Sequence, residues 1–387
     1  MKIERRYFLQ SAAALGLTQA RAASPRRKIL IVLVDGCGPD YLEQSDVPNL
    51  RRMMREGFYT VGAGVIPSVT NINNASLLTA SLPEEHGITT NYYYDRAAGK
   101  FSYMETADFL LRPTIFERAG KLGMRSALVA AKDKVRTLGG RGADVAISAE
   151  APPPEFVARI GPREEIYSAA VNYWAFRAAR YLLGQSDLLY LTTTDYMMHT
   201  FPPEDERSRE HLHQLDALLD AMLNDHPKLE VYLTADHGMN AKSEAFDLGR
   251  LLAARNIACE AVPVVKDRYV AHHQNLGGAC YIYLQNAANQ ERAMDLLREC
   301  PAVEEMYTAP RAATEFHLHR DRIGDIVLLG RRHAAFGPLD HVREETRIRS
   351  HGSRHESRVP ILCYGRKVDG ARYRMNVDLT RNLDWGA

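Results

Sequence analysis

The stretch from Lys28 to Gly36 reads KILIVLVDG: six aliphatic residues follow a lysine, and an Asp-Gly pair ends the run. A continuous apolar run of this length is typical of a strand that is buried on both faces of a parallel sheet. Five further runs share this character: TVGAGVIP at 60–67, SALVAA at 126–131, DVAIS at 144–148, LLYLTTTD at 188–195 and VYLTADHG at 231–238. Together they predict a central, mostly parallel sheet.

Helical patterns alternate with these strands. They occupy 48–56, 114–122, 167–183 and 208–223. Alternation of buried strands with helices predicts an α/β fold in which helices sandwich the central sheet. The sequence pattern changes at 245–345, where stretches of alternating apolar and polar residues surround a helical pattern. The run VPILCYG at 359–365 is then expected to return to the main sheet. We therefore expect a catalytic core of 23–244 and 346–387, with 245–345 inserted as a small α+β cap. Its His272 and His273 either reach the site or are buried structural histidines.

The composition indicates which classes of binding partner the protein lacks the charge pattern for. The chain of 387 residues is 45% hydrophobic and 25% charged, with 49 basic and 48 acidic residues and a formal net charge of +1. This balance gives no sign of a nucleic-acid polymer or a membrane surface as partner. The five cysteines are an odd number without a C-x-x-C motif, so neither a disulfide framework nor a cysteine zinc site follows. A disulfide among the later cysteines and a homodimer both stay open.

The N-terminal segment, residues 1–22, has the features of an export signal. Arg5 and Arg6 precede a short apolar run and an Ala-Arg-Ala sequence that ends at Ala22. This arrangement resembles a twin-arginine signal that is cleaved near Ala22, which predicts a periplasmic protein. The alternative is a disordered basic tail. The apolar run is too short for a membrane-spanning helix, and no other segment suits one.

Metal-ligating residue types stand where apolar runs end. They are Asp35, Asp195, Asp236 and His237, with His199 four residues after Asp195 and His351 before the last strand. Ligands of parallel α/β sheets collect at the carboxyl ends of the strands, and residues four apart share one face of a helical turn. Each pair alone fits a helix cap or a turn. The ordered set of three aspartates and three histidines suits two dications such as zinc.

The stretch 65–95, VIPSVTNINNASLLTASLPEEHGITTNYYYD, places Thr70 directly after an apolar run. Two roles suit this threonine. It is a nucleophile if a strand-to-helix turn sets it at a helix N-terminus beside a dication, which lowers the pKa of a hydroxyl. Alternatively, it caps a helix that begins near Asn73.

In this order, Asp35, the Thr70 stretch, TTTDYMMH, TADHGM and SHGSRHE resemble the alkaline phosphatase superfamily, over roughly 28–365. The similar branch is that of type I phosphodiesterases, nucleotide pyrophosphatases and phosphonoacetate hydrolase. The resemblance implies a hydrolase with two Zn²⁺ ions and a small phosphonate or phosphate ester as substrate. Ile72 and Thr90 depart from the motifs of phosphonoacetate hydrolase, which have Pro and Gly there.

The resemblance also implies roles for single residues. One zinc would be held by Asp35, Asp236 and His237 with Thr70, and the other by Asp195, His199 and His351. Thr70 corresponds to the nucleophile of the superfamily, and Asn91 to the residue that donates a hydrogen bond to a phosphoryl oxygen.

Lys132 and Lys134, in ALVAAKDKVRTL, resemble the lysine pair that contacts the substrate carboxylate in phosphonoacetate hydrolase. Cations at that point stabilise the carbanion-like leaving group of P–C cleavage. The alternative is a solvated charged loop. The pair predicts cleavage of phosphonoacetate to acetate and phosphate through a phosphothreonine. A phosphodiesterase or nucleotide pyrophosphatase with the same site is the alternative, and a non-catalytic anion-binding relative is a remote one.

Overall fold

The computed structural model describes residues 27–269, 271 and 273–385. The predicted export signal and His272 therefore lie outside the described residues. The strands are β1 Lys28–Leu33, β2 Phe58–Ala63, β3 Tyr92–Asp95, β4 Lys100–Tyr103, β5 Ser126–Ala130, β6 Val145–Ser148, β7 Leu188–Thr192, β8 Leu229–Thr234, β9 Asn240–Phe246, β10 Cys259–Pro263, β11 Ala279–Leu284, β12 Val303–Thr308, β13 Ile326–Gly330, β14 Ala334–Phe336, β15 Arg343–Ser350 and β16 Arg358–Tyr364.

The α-helices lie between these strands along the chain, except for the last helix, which follows β16. They are α1 Pro39–Gln44, α2 Pro48–Glu56, α3 Thr70–Thr79, α4 Pro83–His86, α5 Ile115–Lys121, α6 Asp133–Gly139, α7 Pro154–Ile160, α8 Ala170–Leu183, α9 Tyr196–Thr200, α10 Glu206–Asp225, α11 Leu248–Ala253, α12 Gln290–Arg298, α13 Ala309–Phe316 and α14 Asp378–Arg381. Short 3₁₀ turns complete the connections. The described part of the chain holds no helix with the length and apolar character needed to cross a membrane.

Seven strands form the central sheet in the order β2-β16-β8-β1-β7-β5-β6. Strands β8, β1, β7, β5 and β6 are parallel, whereas β16 runs antiparallel to both β8 and β2. The predicted α/β fold class is confirmed, with a mixed rather than wholly parallel sheet. Every residue of β5, β7 and β8 is buried because helices cover both faces, which explains their largely apolar sequences.

Two apolar layers hold helices against this sheet. Helices α2, α8 and α10 pack on one face around Trp174 and Leu215, and α3 and α5 pack on the other around Leu77 and Phe116. Burial of these side chains is the main favourable term for the core. It also fixes the strand ends, from which the candidate site is built.

Between β8 and β16 the chain forms two further sheets. One is four-stranded, in the order β10-β11-β13-β12, and the other is three-stranded, in the order β14-β9-β15. Strand β11 presents one face to α12 and the other to α13, with Ile282 and Tyr281 in the two apolar clusters. We call the segment from β9 to β15 the cap. All five cysteines are free thiols.

Candidate active site

The order of the central strands brings the predicted metal ligands together. Strand β1 lies between β8 and β7, so Asp35, Asp236 and Asp195 follow three neighbouring strands at one sheet edge. The Nε2 atom of His237 lies 3.5 Å from Asp35 Oδ1 and 3.4 Å from Asp236 Oδ2. Gly36 has a φ of +73°, and a Cβ there would meet Asp195 Cβ at 3.1 Å, so glycine permits this close approach.

Two groups of side chains have ligand atoms close enough to share an ion. One is Asp35, Asp236 and His237, as the sequence predicts, and the other is Asp195, His237 and His351. In each group the ligand atoms lie within 4.8 Å of one another. His199 belongs beside the second group, because α9 turns its Nε2 to 2.9 Å from Asp195 Oδ2. His351 Nε2 lies 3.8 Å from the same oxygen, and the His237 and His351 rings stack at 3.6 Å.

All three histidines have the same tautomer. The Nδ1 of His199 lies 2.7 Å from the carbonyl oxygen of Arg349, that of His351 2.7 Å from the carbonyl of Ser68, and that of His237 2.9 Å from the carbonyl of Gly238. A carbonyl only accepts hydrogen bonds, so each Nδ1 carries the proton. Each Nε2 therefore keeps a lone pair for a cation, as in most histidine metal sites.

The carboxylates are charged groups without sufficient donors. Asp236 Oδ1 accepts hydrogen bonds from the amides of Gly36 and His237, both at 3.0 Å. Among the described residues, none donates a hydrogen bond to Asp236 Oδ2 or to either oxygen of Asp35. Burial, and then the charges of Asp195 and Asp236, raise the pKa of Asp35 well above its usual value. Burial is also the main cause that raises the pKa of Asp236 to about 6. Bound cations would relieve this cost, so the donor set fits two dications.

Thr70 is the first residue of α3, and its Oγ1 lies 3.4 Å from His237 Nε2. The interpretation that Thr70 caps a helix starting near Asn73 is wrong, because the helix starts at Thr70 itself and Val69 stands at the cap position. The hydroxyl is thus beside the first ligand group and at a helix N-terminus, where backbone amides favour an anion. Both features suit a nucleophile that attacks an anionic centre.

The alternative that Lys132 and Lys134 belong to a solvated loop is also wrong. They follow β5 at the start of α6 and are only 4% and 7% exposed. Lys132 Nζ donates to Asp195 Oδ1 at 2.8 Å. Burial lowers the pKa of this ammonium, but the charges of Asp195 and Asp35 outweigh it and raise the pKa, so Lys132 stays protonated. Lys134 pairs instead with Asp267 of the cap.

Asn91 joins the same group from the loop before β3. Its Nδ2 donates to Asp267 Oδ2 at 3.4 Å, and its buried Oδ1 has no hydrogen-bond partner in the described structure. The sequence motifs therefore place Asn91, the two lysines and the metal ligands in one enclosed site. Thr70 and Asn91 are each 4% exposed, so the site suits a small ligand.

Several contributors were missed from the sequence. Asp267 and Tyr269 reach the lysines from the cap, and Ser68 and Arg349 act through backbone carbonyls, which no side-chain motif reveals. His273, by contrast, is one of the two cap histidines that the sequence indicates, either near the substrate or as a buried structural residue. Its ring lies 5.7 Å from that of His199, and burial is the main cause that lowers its pKa to about 3.

The fold and the ligand cluster define a hydrolase core of the alkaline phosphatase type, and comparisons with known proteins agree. A family model described as type I phosphodiesterase / nucleotide pyrophosphatase matches residues 29–354. The chain therefore belongs to the type I phosphodiesterase / nucleotide pyrophosphatase family, within the alkaline phosphatase superfamily. The resemblance inferred from the sequence is confirmed.

Individual relatives differ in how much they share. The solved phosphonoacetate hydrolase from Sinorhizobium meliloti, in complex with phosphonoacetate, is 32% identical with a TM-score of 0.85, over 92% of this chain and 95% of that one. Murine ectonucleotide pyrophosphatase / phosphodiesterase 5 is 17% identical with a TM-score of 0.67, over 92% and 93% of the two chains, a likeness of fold alone. Bis(5'-adenosyl)-triphosphatase ENPP4 from Bos taurus is 24% identical over 321 residues, 80% of this chain but only 65% of the relative's length.

Proposed function

We propose that this protein is a dizinc hydrolase that cleaves the P–C bond of phosphonoacetate to give acetate and phosphate. The observation that carries the proposal is the burial of two lysine ammonium groups beside the ligand cluster, with Lys132 Nζ 2.8 Å from Asp195 Oδ1. Asp195 and Asp267 offset the cost of burying these cations, and each ammonium keeps further N–H groups for a second anion. A substrate with a carboxylate next to its phosphonyl group offers such an anion. The likeness to a phosphonoacetate hydrolase at 32% identity supports the same substrate.

The chain's own residues account for each step. Bound zinc ions would lower the pKa of the Thr70 hydroxyl and offset the charge of the phosphonyl oxygens. The Thr70 oxygen forms a bond to phosphorus as the P–C bond breaks, and a phosphothreonine results. The P–C electron pair passes to the carbon and delocalises into the carboxylate. The carbon takes up a proton from solvent, which replaces the one that the Thr70 hydroxyl gives up, and acetate results. A water molecule then attacks phosphorus, the bond from phosphorus to the Thr70 oxygen breaks, phosphate leaves and the threonine hydroxyl regains a proton.

The polar side chains around Thr70 have separate tasks in this scheme. Asn91 donates a hydrogen bond to a phosphonyl oxygen, and Lys132 and Lys134 hold the carboxylate where negative charge accumulates. Fixed cations at that position favour the transition state over the bound substrate, because the carboxylate gains charge as the P–C bond breaks. A phosphate ester has no such carboxylate, and the lysines add little to its cleavage.

A phosphodiesterase or nucleotide pyrophosphatase is the second candidate. Membership of the family and the likeness to a bis(5'-adenosyl)-triphosphatase favour it. The metal ligands and Thr70 serve either reaction. The enclosure of Lys132 and Lys134 by the cap favours the smaller phosphonate.

A substrate panel on zinc-loaded protein tests the proposal. We expect turnover of phosphonoacetate to exceed that of an aryl phosphodiester and an aryl phosphate monoester. Lys134→Ala is the sharper variant, because Lys132 touches Asp195 and its loss would also disturb a metal ligand. It should lower kcat/KM for phosphonoacetate by about 100-fold, as loss of a transition-state contact does, and spare any diester cleavage. Arg136→Ala on the same helix is the matched control, because Arg136 pairs with Asp133 at the surface.

Two outcomes would contradict the proposal. Cleavage of the aryl phosphodiester without cleavage of phosphonoacetate would favour the second candidate. An equal loss of both activities in Lys134→Ala would remove the assignment of this lysine to the leaving group.

A further inference from the structure

The cap supplies a carboxylate that takes up two of the proposed substrate-binding groups. Asp267 is 5% exposed, and its Oδ2 accepts from both Lys134 Nζ and Asn91 Nδ2, the latter at 3.4 Å. These are the donors that the proposed function assigns to the substrate carboxylate and to a phosphonyl oxygen. Asp267 Oδ2 therefore contacts both the proposed donor to the substrate carboxylate, Lys134, and the proposed donor to the phosphonyl group, Asn91.

Asp267 is held firmly by the cap itself. Its Oδ1 accepts hydrogen bonds from the amides of Arg268 and Tyr269, at 2.6 and 3.3 Å, and its own amide donates to Asn275 Oδ1 at 2.9 Å. A carboxylate in such a turn is fixed in direction. It has little freedom to swing away when a ligand arrives.

The neighbouring residues tie this turn to the core. Tyr269 donates its hydroxyl hydrogen to Glu150 at 2.8 Å, and its ring lies 5.5 Å from Lys134 Nζ. Arg268 pairs with Glu105 at 3.4 Å on the surface. Three consecutive cap side chains thus contact three different core segments, and only Asp267 and Tyr269 face the lysine.

We propose that Asp267 is a specificity-determining residue that limits the anion affinity of the carboxylate subsite. This inference rests on the proposed function. An ammonium has three donors and an amide nitrogen two, so Lys134 and Asn91 contact Asp267 and a substrate at the same time. The fixed negative charge of Asp267 weakens their hold on a bound anion, which also aids release of acetate. A ligand with a carboxylate lies nearest to this charge and is affected most.

Binding experiments on the full, zinc-loaded chain test the inference. All variants are made in the Thr70→Ala background protein, which lacks the proposed nucleophile. The titrated compounds are then not cleaved during calorimetry. The ligands are phosphonoacetate, phosphonoformate and, without a carboxylate, methylphosphonate. Asp267→Asn should tighten binding of the first two by about tenfold, as expected for removal of one charge a few ångströms away in a partly screened site. Methylphosphonate should gain clearly less.

Matched variants separate this charge effect from damage to the cap. Arg268→Ala breaks a contact of the same turn with the core but does not touch Lys134, so it should bind all three ligands as the background does. Asp267→Ser removes the charge and retains a short acceptor for the turn amides, and it serves if the asparagine variant fails to fold. When Asp267→Asn is combined with Lys134→Ala, the gain in affinity for carboxylate ligands relative to the gain for methylphosphonate should fall towards a ratio of one.

The results that would overturn the inference are distinct. Weaker or unchanged binding of phosphonoacetate in folded Asp267→Asn and Asp267→Ser would show that Asp267 does not limit affinity. An equal gain for methylphosphonate, or no measurable binding of phosphonoacetate to the background protein, would remove the carboxylate subsite. If Asp267→Asn behaves as expected while the wild type fails to cleave phosphonoacetate, the proposed function fails and the assignment of Asp267 stands.

Discussion

The buried ion pair of Lys242 and Glu356 offers a test of how the site is supported. Lys242 Nζ donates to Glu356 Oε1 and to the carbonyl of Arg332, both at 2.9 Å, and neither charged side chain has any exposed surface. Glu356 Oε1 also accepts from Asn240 at 2.7 Å. Its Oε2 accepts from the amide and the hydroxyl of Ser353, at 3.0 and 2.7 Å.

This pair supports both histidine loops. The carbonyl oxygen of Glu356 accepts a hydrogen bond from the amide of Gly238 at 2.6 Å, and Gly238 directly follows His237. The 3₁₀ turn that contains Glu356 also lies shortly after His351 in the chain. Gly352 has a φ of +122°, a conformation that suits glycine. The loop that carries His351 therefore relies on the hydrogen bonds of Ser353 and Glu356 to hold its position. Loss of the pair is therefore expected to lower the affinity of the candidate site for a metal ion as well as the stability of the fold.

The magnitude follows from what each substitution leaves behind. Lys242→Met leaves the Glu356 carboxylate buried without its cation, which costs about 3–5 kcal/mol in comparable pairs. Three other hydrogen bonds remain, so we expect a value near 3 kcal/mol, the low end of that range. Lys242→Met combined with Glu356→Gln should recover part of the loss, with a coupling free energy of about 2 kcal/mol between the sites.

Urea unfolding of the zinc-loaded proteins at pH 7 measures these values. Lys100→Met, in an exposed hairpin, is the control and should change the unfolding free energy by less than about 0.5 kcal/mol. A loss below about 1 kcal/mol in Lys242→Met, with an unchanged dependence on urea, would refute the reasoning that the carboxylate is left uncompensated.

The pair also predicts the direction of a pH effect. Burial raises the pKa of Glu356, but Lys242 and the hydrogen bonds outweigh it, so the pKa lies below the usual 4.5. A carboxyl with a depressed pKa stabilises the fold above its unfolded pKa and loses that contribution as the pH falls through the folded value. The stability gap between wild type and Glu356→Gln should therefore narrow below pH 4.5.

Three further outcomes are expected. Thr70→Ala should lower kcat at least about 1,000-fold on any substrate that the wild type cleaves, with ligand binding retained in calorimetry, because it removes the proposed nucleophile. Asn91→Ala should lower kcat by about 100-fold through loss of one donor to the transition state, with zinc content unchanged by metal analysis. A strong chelator should lower the thermal midpoint, since it leaves Asp35 and Asp236 buried without cations, and added zinc should restore it; an unchanged midpoint would contradict the metal site.

Much of the fold was predictable because burial on both faces leaves a plain signal. Strands β1, β5, β7 and β8 are largely apolar runs, and their parallel order brings Asp35, Asp195 and Asp236 to one edge of the sheet. The direction of β16 was not predictable, since an apolar run reads the same for either orientation. The long connection through the cap permits either direction, and the structure shows that β16 pairs antiparallel with β8.

The candidate site was predictable only where it uses side chains in local motifs. The helical spacing of Asp195 and His199 is an example, because one turn of α9 brings them together. The carbonyls of Ser68 and Arg349 fix two histidine tautomers, yet they depend on backbone positions that no residue type encodes. Asp267 lies 133 residues from Lys134, so only the tertiary structure pairs them.

The two lysines at the start of α6 suggest how one core could serve two reactions. Lys132 and Lys134 are only two residues apart, but Lys132 pairs with Asp195 of the core and Lys134 with Asp267 of the cap. In the proposed mechanism, the metal ligands and Thr70 act on the phosphorus centre whichever group departs. Recognition of the leaving group then falls to the contact of Lys132 and Lys134 with Asp195 and the cap. If this mechanism holds, we expect a change between P–C and P–O cleavage to require substitutions at that contact and to leave the metal ligands intact.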